Sequence, residues 1–483
     1  MIEKTKDRAF AVMLAIILAG MVITMLNQSI INIALPQIMK QFNIDASTAQ
    51  WLATAYMLVC GILVPISAYL VQKFSYKQLF ITAMAFFTIG SYVCAISTGF
   101  EVMLTGRVLQ SVGGGILMPL SMNIFISAFP VEKRGSAMGL LGIGLILAPA
   151  LGPTVSGYVI EYYNWNVLFY AMTAIGFCVL IVAFFFFNFR NEKRDVKLDY
   201  FGVITSSIGF GALLYGINEI AGKGWNDPEV LTFLAISVVS LTAFVFYELK
   251  KQNPLLEMKV FKDFNFSYTI IVNIILQVAL YGGMILLPIY LQMIRGFSPL
   301  EAGLLLLPGS LLMGIMGIWT GKLYDRIGIK PLAIIGFTIL TVTTYMLTKL
   351  SVNTPYMEIM LLYTIRLFGL SFVIMPITSA GLATIPRALI PHANALSSTL
   401  RQVAASIGTA SLIVVMTNQS KYYIQDLGTA VTADAAKLAA IHGINSAFLV
   451  SAIISAIALL LSFFFKKPKL EESKLEKEVL VFE

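Results

Sequence analysis

Gly321-Lys322-Leu323-Tyr324-Asp325-Arg326-Ile327-Gly328-Ile329-Lys330 is a short polar joint between two long apolar runs, and it has a counterpart earlier in the chain. Ala68-Tyr69-Leu70-Val71-Gln72-Lys73-Phe74-Ser75-Tyr76-Lys77 repeats its spacing 253 positions upstream. Arg107 precedes Arg366 by 259 positions, and Met118-Pro119-Leu120-Ser121 precedes Met375-Pro376-Ile377-Thr378 by 257. Each match is weak alone, but a common offset marks a duplicated half.

The runs that flank these joints are each roughly 18 to 25 residues long, which fits a hydrocarbon core about 30 Å thick. Fourteen can be counted, centred near residues 22, 60, 88, 114, 148, 177, 209, 238, 279, 310, 340, 369, 408 and 455. Lipid offers the backbone no hydrogen-bond partner, so the runs are predicted to be helices. Composition agrees: 58% of the 483 residues are hydrophobic and 12% charged, with mean hydropathy +0.84. Soluble domains carry about 25% charged residues. The expected fold class is therefore an all-α polytopic membrane protein. A six-helix half cannot fill the repeat offset, so two extra spans lie between the halves in a six, two, six order. The expected divisions are an N-terminal half over 1–190, a linker with two spans over 191–262, a C-terminal half over 263–466 and a tail over 467–483.

Loop charges give the orientation. With Lys4, Lys6 and Arg8 placed inside the cell, alternate loops put 24 bases on the inner side and six on the outer, with Arg107, Arg366 and Arg401 at or within spans. Such an excess of cytoplasmic Lys and Arg is the membrane topology signal. It predicts both termini in the cytoplasm and accounts for the net charge of +8 without nucleic acid. Cys60, Cys94 and Cys178 all fall in apolar runs, so no disulfide framework and no metal spacing is expected. Two histidines, His392 and His442, lie outside the runs and argue against an enzyme. No cofactor is expected.

The joint at 321–330, the span containing Arg107-Val108-Leu109-Gln110 and Gly113-Gly114, and the run Gly139, Ala148, Gly152-Pro153 and Ser156-Gly157 together resemble the major facilitator superfamily. Leu287–Gln292 with Gly296, Ala302-Gly303 and Leu307-Pro308-Gly309 resembles its fourteen-helix drug:proton antiporter branch. Leu26-Asn27-Gln28-Ser29 with Asn32 and Pro36 is most similar to the lincomycin-resistance type of Gram-positive multidrug exporter. The resemblance covers residues 10–465 and implies a 6+2+6 major facilitator fold. It further implies a multi-pass monomer of the bacterial cytoplasmic membrane that exports amphipathic drugs or lipid-like compounds by proton antiport with alternating access.

An intramembrane arginine must face a cavity or a partner, which nominates Arg107 and, near the end of its span, Arg366. Arg401 reads as an interface anchor at a helix start. Asp325-Arg326 opens a loop where halves re-pack, and a charge or helix-end contact there can bias one access state. Gly152 and Pro153, with Gly139 and Gly157, permit close helix contact and a bend.

One departure matters. The branch commonly carries an aspartate in the middle of span 1, where this chain has Asn27. Of the 25 acidic residues none falls deep in a span; Glu161 and Glu219, near span ends, are the candidate proton sites. The missing carboxylate also favours neutral or weakly charged amphiphiles. Candidate cavity residues are Asn27, Gln28, Asn32, Gln50, Tyr56, Tyr290 and Gln292 as polar groups, with Trp51, Met118 and Met375 as adaptable apolar surface. A dedicated carrier of one endogenous metabolite, exporter or importer, is the nearest alternative. A non-transporting receptor or scaffold would leave the duplication unexplained.

Overall fold

The computed structural model describes residues 2–128, 151–187, 199–251, 256–386, 389–427 and 433–465. Gly139 and Ala148, most of the charged run 190–199, the tail from Lys466 and the Asp325 side chain lie outside that description. In chain order the helices are α1 (Ile2–Phe42), α2 (Ala46–Lys73), α3 (Tyr76–Ala95), α4 (Phe100–Ala128), α5 (151–162), α6 (Asn166–Phe186) and α7 (Tyr200–Lys223). They continue with α8 (Pro228–Lys250), α9 (Phe264–Ile289), α10 (Pro299–Ile327), α11 (Ile329–Met346), α12 (Tyr356–Leu382), α13 (Ile390–Leu427) and α14 (Ala433–Ser462). Thirteen described helices are long and apolar enough to cross a membrane. The remaining one, α5, begins at residue 151, and the centre of the run expected near residue 148 lies outside the described residues.

Two compact units emerge. The first holds Met1–Asp199 with Ser298–Leu307, so the start of α10 packs with α1–α6. The second holds Tyr200–Phe297 and Pro308–Glu483. Within it α7 and α8 form a hairpin set against α13, where Ile220, Val230 and Val414 make a small buried cluster. The outer faces are apolar: Phe184, Phe185 and Phe186 on α6 and Val238 and Val239 on α8 are all exposed. In water such faces would aggregate; in a bilayer they meet lipid.

Local chemistry sets the helix ends. Asp45 accepts the Thr48 N–H at 2.7 Å to start α2, and Asp263 accepts the Phe266 N–H at 2.8 Å to start α9. Asp227 caps α8, whose first residue is Pro228, a position where no N–H is needed. Pro288 interrupts the ladder of α9, and a π turn over Tyr290–Ile294 follows, closed by the Arg295 N–H on the Tyr290 carbonyl at 3.0 Å.

The two copies of the joint solve one turn differently. Gly328 sits at φ 78°, ψ −179° between α10 and α11, with its N–H on the Tyr324 carbonyl at 2.8 Å. Only glycine adopts that conformation without strain. Its counterpart Ser75 keeps φ −71° and makes a capping box with Gln78 at the start of α3. Gly328→Ala is therefore expected to destabilise by about 1–3 kcal/mol. Gly321→Ala, inside α10 with open space where its methyl would go, is neutral or stabilises by up to about 1 kcal/mol. Thermal unfolding of the two purified variants checks the contrast; equal losses would contradict it.

Candidate functional site

The polar centre of the first unit is built on α4. Arg107 is fully buried. Its Nε donates to the Leu52 carbonyl of α2 at 3.0 Å, and its Nη1 donates to Gln110 Oε1, one turn along α4, at 2.9 Å. The guanidinium lies 4.5 Å from the centre of the Tyr56 ring. Gln110 is the junction of the network. Its Nε2 donates to the Ser91 hydroxyl of α3 at 2.8 Å, and its Oε1 also accepts from Asn27 Nδ2 of α1 at 3.2 Å. The Tyr56 hydroxyl faces both Asn27 and Cys60. Four helices thus meet through side chains around one buried cation.

That cation has no carboxylate within ion-pair distance among the described residues, and its Nη2 is buried without a hydrogen-bond partner. A carbonyl, an amide and a ring face compensate the charge in part. Each unsatisfied buried donor costs about 1–3 kcal/mol, so the arrangement is one a purely structural core would avoid. Gly114 makes room for it: a Cβ there would lie 2.3 Å from the Tyr56 hydroxyl oxygen.

The second unit repeats the idea with other partners. Arg366, ten residues into α12, is also fully buried. Its Nε donates to the Thr344 hydroxyl of α11 at 3.2 Å and its Nη2 to the Ala279 carbonyl of α9. Its Nη1 is buried without a partner. A Cβ at Gly283 would lie 2.3 Å from that nitrogen, so the glycine is what lets the guanidinium lie against α9. The residue sits inside its span rather than near the end, because α12 begins at Tyr356.

Helix α5 crosses its neighbours closely enough to need glycine. A Cβ at Gly152 would be 1.9 Å from the Ser29 hydroxyl of α1. A Cβ at Gly157 would be 2.4 Å from the Pro299 carbonyl oxygen, and one at Gly303 would be 2.5 Å from that of Pro153. The Thr154 hydroxyl donates to the Gly303 carbonyl at 3.2 Å in the same crossing.

Of the other nominated residues, Asn32 and Gln50 are buried in the first unit, and Gln50 donates to the Thr54 hydroxyl at 3.0 Å. Gln28, Trp51 and Met118 are half-buried there. In the second unit Tyr290 and Gln292 are buried in the π turn, with the Tyr290 hydroxyl donating to the Ser351 carbonyl at 2.7 Å, while Met375 is exposed. Arg326 is exposed at the end of α10. Glu161 is exposed on α5. Glu219 pairs with Lys223 at 3.2 Å, and Lys223 also reaches Glu229 at 2.6 Å, joining the ends of α7 and α8. The hydrogen bond to Glu229 holds the Lys223 ammonium above its ordinary range.

Sequence reasoning missed Gln110, Ser91 and Thr344 as members of these networks. Gln110 was within reach, three residues from Arg107 on one helix face. Arg401 is a correction. It lies about three turns inside α13 rather than at its start, because α13 begins at Ile390 and carries Pro391 in its first turn. The polar stretch His392–Thr399 is helical, which hydropathy alone did not show. Among the described residues no three His, Cys, Asp or Glu side chains converge to hold a metal.

Thirteen described helices long and apolar enough to cross a membrane, with two fully buried arginines among them, mark a polytopic membrane protein. The chain belongs to the Major Facilitator Superfamily, whose family model matches residues 17–409. The chain is 46% identical, over 86% of its own length and 78% of the relative's, to the Bacillus subtilis protein named Uncharacterized MFS-type transporter YhcA. It is 36% identical to the lincomycin resistance protein LmrB of Listeria monocytogenes, over 96% of this chain and 98% of that one. Among solved structures, a D-xylose–proton symporter aligns with TM-score 0.67 at 14% identity, covering 94% of this chain and 98% of the other, which shows the shared fold. The protein is a multi-pass membrane transporter of small molecules, with bacterial relatives.

Proposed function

We propose that this transporter exports amphipathic drugs or lipid-like compounds from the cytoplasm by proton antiport, alternating access between its two six-helix halves. The observation that carries the reading is the similarity to LmrB along nearly the whole chain. Arg107 and Arg366 would be the coupling residues, each a buried charge whose surroundings must change if its helices re-pack. Gly152, Pro153, Asp325 and Arg326 would serve the conformational change. Asn27, Gln28, Asn32, Gln50, Trp51, Tyr56, Met118, Tyr290, Gln292 and Met375 remain the proposed substrate contacts.

Asn27 leaves the network without a carboxylate, so proton coupling is assigned to Glu161 and Glu219. Drug-driven proton movement in proteoliposomes tests the assignment. Glu161→Gln or Glu219→Gln is expected to reduce the protons moved per drug while drug binding persists. Unchanged coupling in both variants would remove both carboxylates from the mechanism.

A further inference from the structure

Four lysines stand between the last turn of α8 and the first of α9. Lys250 ends the apolar span Pro228–Lys250, and Lys251 follows it. Lys259 and Lys262 lie on the 3₁₀ turn Met258–Lys262, just before the next span opens at Phe264. All four therefore sit at one membrane surface, the one that loop charge predicts to be cytoplasmic. Lys250, Lys259 and Lys262 are exposed, and the half-buried Lys251 holds its ammonium 5.2 Å from the centre of the Tyr247 ring.

The turn that carries them is fixed in place. Leu256, Met258 and Val260 are buried in one apolar cluster with Phe244 of α8, Phe266 of α9 and Leu396 of α13. The Glu248 carboxylate of α8 accepts the Leu256 N–H at 3.0 Å, which ties both lysine pairs to one platform. Glu257 accepts the Lys259 N–H at 3.2 Å, and Asp263 accepts from the Phe266 N–H at 2.8 Å and the Thr384 hydroxyl at 2.9 Å. The acids of this stretch serve the fold from buried or half-buried positions, while three of the four bases are exposed.

Apolar residues border the bases. Phe246, one turn before Lys250 on the same face of α8, is exposed, as are Leu249 and Phe264. In a bilayer these side chains meet acyl chains, just below the depth of the ammonium groups. Topology alone asks only for positive charge on this side; it does not ask for lysines on a rigid turn beside lipid-facing rings. Four bases next to a span attract anionic lipid, and here the charge and the apolar border match its two parts.

We infer that Lys250, Lys251, Lys259 and Lys262 bind the headgroup phosphate of an anionic phospholipid, whose acyl chains lie along Phe246, Leu249 and Phe264. The ammonium groups act as point charges around the phosphate, and the buried side of the turn holds Lys259 and Lys262 beside the end of α8.

The probes are phosphatidylglycerol and phosphatidylcholine with identical chains, titrated onto the purified full-length protein in neutral detergent and counted by native mass spectrometry. The wild type is expected to bind phosphatidylglycerol about tenfold more tightly, a preference that shrinks as salt rises from about 0.05 to about 0.5 M. Lys259→Gln with Lys262→Gln should remove most of that preference and leave phosphatidylcholine within about twofold. Lys259→Arg with Lys262→Arg should keep it. Lys322→Gln with Lys330→Gln, an equal loss of charge at exposed lysines of another loop, should leave it within about twofold. A wild type without preference overturns the proposal, as does an equal loss in the two glutamine pairs, which would reduce the effect to overall charge. An arginine pair that loses the preference also overturns it. Competition by soluble glycerol phosphate at the concentration of the lipid would overturn the lipid assignment, since the acyl chains would then contribute nothing.

Discussion

Arg107→Met is expected to give a protein that folds and inserts as well as the wild type and transports about a hundredfold more slowly. Arg107 is fully buried, one of its nitrogens lacks a partner, and no carboxylate faces it among the described residues. Replacing a buried ion by an apolar side chain of similar length is often neutral or stabilising by about 1–4 kcal/mol. The Leu52 carbonyl and Gln110 Oε1 would each lose a donor, which offsets part of that gain. Transport should nonetheless fall by about a hundredfold, the upper range of a coupling between two global states. Arg107→Lys should do no better, because a point charge cannot span the Leu52 carbonyl, Gln110 and the Tyr56 ring together. Thermal unfolding beside initial transport rates decides the matter. An Arg107→Met protein that fails to fold, while Arg107→Lys folds normally, would make the residue structural.

The second large effect is expected at Gly152. A methyl there would sit 1.9 Å from the Ser29 hydroxyl oxygen and 2.9 Å from its Cβ, so α1 and α5 must separate or Ser29 must leave. Overpacking of this kind costs about 1–3 kcal/mol. Gly152→Ala should lower the unfolding temperature and slow transport, since any re-packing of α5 starts from a strained contact. Ser29→Gly removes both short contacts, leaving a next approach of 3.7 Å to the Leu26 carbonyl oxygen. The double variant should therefore recover most of the transport lost in Gly152→Ala. Its stability should recover less, because a glycine within α1 itself costs about 0.5–1 kcal/mol. Additive losses in the double variant would show that the α1–α5 contact is not what Gly152 protects.

The fold was legible because two independent signals agree on it. Hydropathy locates the spans, and a repeat with a nearly constant offset arranges them. The candidate site was legible only in part. Arg107 announces itself, since a charge in a bilayer must be explained. What touches it does not, because Leu52, Ser91 and Tyr56 reach Arg107 and Gln110 from α2 and α3 through tertiary packing. Gly328 and Ser75 make the same point in the loops, where one register position is served once by a positive φ and once by a side-chain cap. Arg401 was misplaced because helix and apolar run were treated as coextensive. The first turns of α13 are helical and polar, and they lead to the half-buried Arg401.

The central claim is proton-coupled export of amphipathic compounds, and cellular accumulation tests it most directly. Cells lacking the gene and cells overexpressing it are compared for steady-state levels of several structurally unrelated amphiphiles, with and without a proton uncoupler. The account predicts lower accumulation of more than one compound in the overexpressing cells, and loss of that difference when the uncoupler is added. Equal accumulation of every compound, or a difference that survives the uncoupler unchanged, would contradict it.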